Sequence, residues 1–140
     1  MLKYNNKGVS LIEAIVSVFI LAIGIISIAT IFPLIIKTSK TSEQETIAAN
    51  LIQAKIEELF YYGYDGLETG TIEPKSRLAQ DPTNPFYNYQ REVEISYVDG
   101  DLNDSLTETG LKKIVVTVYY NTTQFNLEKA LPITVLIAKK

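Results

Sequence analysis

The chain contains no cysteine and no histidine. Without cysteine, no disulfide can staple a domain. Without either residue, the common His/Cys zinc sites and the Ser-His-Asp and Cys-His nucleophile systems are excluded. Basic residues are in the minority. Lys+Arg number 13 against 16 Asp+Glu, giving a formal net charge of −3 and a pI near 5.0. No basic stripe is present to neutralise phosphates, so direct nucleic-acid binding is not expected. Charge of either sign is also missing from one long stretch, Ala14 to Ile36.

That stretch is the most informative feature of the chain. At a rise of about 1.5 Å per residue it is long enough, as a helix, to cross a hydrocarbon core of roughly 30 Å. It exceeds the apolar core of an ordinary secretory signal. Glu13 is the only charge between Lys7 and Lys37. A carboxylate inside such a helix costs roughly 2.5–3.5 kcal/mol unless it is neutralised, so a partner for it is expected. Lys3 and Lys7 precede the run without any acid, which favours a cytoplasmic amino terminus and an extracytoplasmic remainder. The 140 residues suffice for one modest domain beside the membrane segment.

The organisation follows from hydrophobic periodicity. Residues 9–36 form an apolar helix interrupted by Gly24 and Pro33, with a kink or local unwinding expected around Ala29–Pro33. Ser42 and Glu45 resemble a capping box that restarts a helix over about 42–62; the alternative is one continuous helix with a weak polar middle. Ala48, Leu51, Ile52, Ile56, Leu59 and Phe60 share one face of this second half, opposite Asn50, Gln53 and Glu57. Gly63, Gly66 and Gly70 end it, and 63–88, with Pro74, Pro82 and Pro85, reads as a loop with local structure or a functional surface. Three antiparallel strands are expected, at about 89–98, 112–121 and 131–138. Asp99-Gly100-Asp101 and Asn121-Thr122-Thr123 supply the turns between them. The resulting fold class is α+β, a long N-terminal helix packed on a small antiparallel sheet.

Gly8-Val9-Ser10-Leu11-Ile12-Glu13 followed by the apolar run resembles the class III signal of type IV prepilins and pseudopilins. The resemblance implies that a membrane-embedded prepilin peptidase cuts after Gly8, removes leader residues 1–8, and methylates the new terminus at Val9. It implies that Glu13 is the family's glutamate, pairing with a neighbouring subunit's terminal amine. Leu11, Ile12 and the rest of 9–36 then form the filament core. Residues 48–59 and 111–118 are similar to the minor-pilin branch that includes modification-protein pilins and I-type pseudopilins. The fold implied is pilin-like, with head 37–140. The implied partners are other pilin subunits, the prepilin peptidase, an inner-membrane assembly platform, and membrane lipid before assembly. Two departures favour an accessory subunit: Val9 replaces the usual phenylalanine, and the helix proline is Pro33 where the family's falls near Thr30. The resemblance covers pilus, type II secretion and DNA-uptake machines alike.

Other sites are weaker. Asp99, Asp101, Asn103 and Asp104 invite calcium, but Asp104 and Gly110 occupy the EF-hand's Gly and Glu positions, so a solvated hairpin turn is preferred and no cofactor is expected. Tyr61, Tyr62, Tyr64, Phe86, Tyr87 and Tyr89 form either a recognition surface or packing against the sheet. Glu92 and Glu94 share an exposed strand face with no nucleophile nearby, so no enzyme is expected. The chain is thus read as a single-pass minor pilin or pseudopilin; the alternative is an anchored extracytoplasmic binding module that never assembles.

Overall fold

A computed structural model describes residue 8 and residues 10–122 and 127–140. Residues 1–7, Val9 and Thr123, which carry the expected leader, methylated terminus and part of a turn, lie outside the described residues. The chain divides into two compact units, 1–39 and 40–140. One helix, α1 (Leu11–Tyr62), contributes to both.

In the first unit, Ser10 caps α1. Its Oγ accepts the Glu13 N–H at 3.3 Å and its carbonyl accepts the Ala14 N–H at 3.1 Å. This is one half of a Ser-x-x-Glu capping box. Ser17, Ser27 and Thr30 are the hydroxyls within 14–36, and each bonds back to a helix carbonyl: Glu13, Ile23 and Ser27 respectively. The apolar stretch therefore presents no unsatisfied side-chain donor, as a lipid environment requires. α1 stays helical through Gly24 and Pro33.

The second unit holds the end of α1 and five strands: β1 (Gly70–Arg77), β2 (Tyr89–Val98), β3 (Asp104–Ser105), β4 (Leu111–Asn121) and β5 (Glu128–Ala138). The sheet order is β1-β2-β4-β5, antiparallel throughout, with the short β3 on β2. Ala48, Ile52 and Leu59 lie four and seven residues apart, so one stripe of α1 is buried. They pack with Val93, Ile95, Ile114, Val116 and Val118 from the inner face of β2 and β4. The strict alternation of β4, with Ile114, Val116, Val118 and Tyr120 buried, is the two-residue period of a half-covered sheet. The protein is α+β and pilin-like: a long N-terminal helix whose second part packs on an antiparallel sheet.

Three differences from the sequence-based expectation have physical causes. No helix restarts at Ser42. Its carbonyl accepts the Thr46 hydroxyl at 2.9 Å, and Thr38 bonds Leu34 in the same way, so the polar segment stays within the helix. Second, the expected loop 63–88 contains strand β1. Gly70 and Pro74 and the lack of alternation conceal it, and the pairing with β2 is broken by two register shifts around Glu73. Pro74 is tolerated because β1 is an edge strand. Third, β3 has two residues and leaves no periodic trace.

The exit from α1 is fixed by two glycines. Gly63 takes the left-handed conformation (φ +67°) and donates to the Phe60 carbonyl at 3.1 Å, as a residue just past a helix end does. At Gly66 a Cβ would stand 2.5 Å from the Tyr62 carbonyl oxygen, so the close approach admits no side chain.

Candidate functional site

The N-terminal segment leaves its apolar side chains uncovered. Every large apolar side chain from Leu11 to Ile36 is exposed, the least of them, Val16, at 49%. Leu11 and Ile12 are 82% and 68% exposed at the mouth of the helix. A continuous apolar surface of this extent marks an interface with protein or lipid. Glu13 sits in the first turn of α1, where the helix dipole favours an anion. A Cβ added at Gly8 would meet nothing within 4 Å, so packing inside the chain does not demand glycine there. Of the residues singled out in the sequence, Gly8, Leu11, Ile12, Glu13, Gly24 and Pro33 all fall on or just before this one segment.

The acidic loop between β2 and β3 is a turn whose carboxylates face donors. Asp99 Oδ1 accepts the Asp101 and Asn103 N–H groups, both at 2.9 Å. The Asn103 N–H leads the interactions that hold the Asp99 carboxyl below its usual range. Leu102 adopts a left-handed φ of +66° to close the turn. Asp104 turns away to Lys113 (2.5 Å) and Ser96 (2.9 Å), and the Lys113 bond lowers its pKa. Asp99 and Asp104 are thus committed to separate donors. Among the described residues, no group of three or more His, Cys, Asp or Glu is arranged to hold a metal ion.

The aromatic residues divide. Tyr64 and Tyr89 are buried, whereas Tyr61 is 88% exposed and Tyr62 and Phe86 are also exposed. Tyr62 lines a cavity of about 530 Å³ together with Lys55, Glu58, Thr69 and Ile72. Glu92 is half-buried and accepts the Tyr119 hydroxyl at 2.6 Å; that bond pushes the phenol up to about 12. Glu94 is exposed on the same strand.

Two polar clusters went unforeseen. Lys112 is 4% exposed on the inner face of β4. Its ammonium donates to the Tyr64 carbonyl (2.8 Å) and the Leu67 carbonyl (2.7 Å) and lies 4.1 Å from the Tyr64 ring centroid. Its position was legible: it falls in phase with Ile114, Val116 and Val118. The second cluster centres on Glu73, which takes both Arg91 Nε (3.0 Å) and Nη2 (3.1 Å). Lys55 stands 3.6 Å from the same carboxylate, joining α1, β1 and β2.

A family model described as the prokaryotic N-terminal methylation motif matches residues 3–29. The N-terminal segment therefore carries the class III signal of type IV prepilins and pseudopilins. Neither the curated proteins nor the solved structures yield a match to the chain. The motif and the long apolar helix support a pilin- or pseudopilin-type subunit, and they point to a structural role rather than an enzyme. They also fit a single-pass inner-membrane protein. The motif suggests association with other pilin subunits and processing by a prepilin peptidase.

Proposed function

We propose that this chain is a minor pilin or pseudopilin whose work is assembly, with no catalysis of its own. It inserts with Lys3 and Lys7 on the cytoplasmic side and its head, 37–140, outside. The peptidase cuts after Gly8, where the absence of a side chain lets the extended peptide approach closely, and the Val9 amine is methylated. In the filament, Glu13 pairs with the terminal amine of a neighbouring subunit. The pair offsets the cost of burying the carboxylate and sets the register between subunits. Leu11, Ile12 and the following apolar residues exchange lipid for neighbouring helices.

The observation that supports this most is the methylation motif on a helix whose apolar side chains from Leu11 to Ile36 find no cover among the described residues. Mass spectrometry of the protein from cells with active prepilin peptidase tests it. The expected product lacks residues 1–8 and begins at methylated Val9. Loss of Lys3 and Lys7 takes Lys+Arg from 13 to 11 against 16 acids, so the formal net charge moves from −3 to −5. An intact Met1 terminus in such cells would overturn the proposal.

A further inference from the structure

The head's sheet has two edges, β1 and β5. β1 is a poor template for another strand. It carries two register shifts, Pro74, and the charges Glu73, Lys75 and Arg77. These are the features that blunt a sheet edge. β5 has no register shift, and its charges, Glu128 and Lys129, and its proline, Pro132, all fall in its first half. It pairs with β4 without a bulge from Asn121↔Glu128 to Leu111↔Ala138. No charge occurs from Ala130 to Ala138, and Leu136 is 42% exposed. Among the described residues, no strand lies on its other side.

The ladder fixes which backbone groups are open. The Lys139 N–H donates to the Gly110 carbonyl at 2.9 Å. Backbone groups alternate in direction along an antiparallel pair, so Leu131, Ile133, Val135 and Ile137 also turn theirs toward β4. Pro132, Thr134, Leu136 and Ala138 turn theirs outward. Pro132 thus stands where its missing N–H costs no bond to β4. Beyond it, Thr134, Leu136 and Ala138 offer an unbroken row of donors and acceptors.

We propose that this outer edge, Thr134–Ala138, binds an extended strand of a different protein, apolar at alternate positions and flanked by acidic residues. The charges around β5 select that partner. Lys129 stands at one end and Lys140 at the other, while the neighbouring Glu128 is held by Lys75 at 2.8 Å and Lys139 by Glu108 at 2.7 Å. A second copy of β5 brings lysines against lysines in either direction, and a copy's β1 brings Arg77, its Lys75 being paired with Glu128. Like charges set opposite one another across strands are unfavourable. Strand addition at an open edge draws its affinity from main-chain hydrogen bonds and its choice of partner from side chains. The inference concerns the head alone and stands apart from filament assembly.

The test titrates the full chain in detergent micelles with a synthetic peptide of alternating valine and threonine, with glutamates at both ends. Binding is expected, with slowed hydrogen exchange at the Thr134 and Leu136 amides. Leu136→Pro removes one outward donor and leaves the bonds to β4, so it should weaken binding by roughly fivefold or more, the worth of about one hydrogen bond. Thr134→Pro provides the same loss at an independent position, and an unchanged thermal unfolding temperature certifies each variant as folded. A lysine-flanked peptide should bind several-fold more weakly. Equal binding by both folded variants, equal binding of the two peptides, or no exchange protection at Thr134 and Leu136 would overturn the inference. So would self-association of the full chain that Leu136→Pro abolishes.

Discussion

Replacing Lys112 with methionine keeps most of the stem's volume and removes the ammonium. Two carbonyls lose their shared donor. The Tyr64 carbonyl retains only a long contact from the Leu67 N–H, 3.5 Å. Hydrogen bonds from a charged donor contribute about 1.5–3 kcal/mol each, and an orphaned buried acceptor costs about 1–3 kcal/mol. Against this, the folded state no longer holds a desolvated cation, which returns part of the sum. We expect a net loss of about 2–4 kcal/mol. α1 has no basic residue in its last turn, and Lys112 is a cation that meets the chain just beyond the helix end. For a head of this size the melting temperature should fall by roughly 10–20 °C. Thermal unfolding of the fragment 37–140, followed by circular dichroism, measures it. Lys113→Met is the internal control: its partner Asp104 is exposed, and it should cost under about 1 kcal/mol. Equal effects from the two substitutions, or a Lys112→Met variant within about 0.5 kcal/mol of the parent, would refute the reasoning.

Gly66→Ala should destabilise the same fragment by about 1–3 kcal/mol, because its Cβ would meet the Tyr62 carbonyl at 2.5 Å and the backbone must shift; chemical denaturation with an unchanged m-value reads it. Asp99 and Asp104 have pKa values lowered in the folded head. Their contribution is therefore complete above the unfolded carboxylate value of about 3.9 and is lost as pH falls through their folded values. A stability–pH curve should show an acid-side decline that Asp104→Asn makes shallower. Glu73→Gln leaves Arg91 and Lys55 without their shared carboxylate and should loosen β1, seen as faster exchange of the Leu78 amide, which donates to the Tyr89 carbonyl at 3.0 Å, while β4 is unaffected.

The legibility of the fold tracked how far each element obeys one rule at a time. β2 and β4 alternate cleanly, so Val93, Ile95, Ile114, Val116 and Val118 were identifiable as core from spacing alone. The α1 stripe at Ala48, Ile52 and Leu59 was equally plain. β1 was not, because Pro74 and Gly70 deny it a strand's composition and its stability comes from neighbours. Arg91 and Lys55 hold Glu73 across distances of 18 residues in the sequence. Ser42-Glu45 misled for a related reason. A capping box is a local signal, and the uninterrupted ladder on both sides competes with it. Lys112 falls in phase with the buried positions of β4, but its burial was not readable, since a lysine in an inward strand position is ordinarily a reason to doubt the strand. The buried carbonyls that justify it belong to a loop whose path cannot be read from spacing.

Glu13 poses a sharper question than any residue of the head. Ser10 Oγ accepts the Glu13 N–H at 3.3 Å, so the backbone end is capped without the glutamate side chain. The helix dipole repays an acid in the first turn by only about 0.3–1 kcal/mol. A carboxylate drawn into the apolar layer costs up to roughly 2.5–3.5 kcal/mol. Anchoring and helix initiation together therefore do not account for it, and a cation from another molecule would. Glu13→Gln separates the cases. It preserves shape and hydrogen bonding but removes the charge. Cleavage after Gly8 should proceed, since the substitution lies five residues beyond it. Incorporation with pilin-like partners should drop by an amount equivalent to about 1–3 kcal/mol, below the roughly 3–5 kcal/mol of a broken buried pair because the orphaned amine can withdraw to the interface. Quantitative co-purification of the processed wild-type and Glu13→Gln proteins with those partners measures the difference. Undiminished incorporation would leave the chain as an anchored module, and the charge at position 13 would need another explanation.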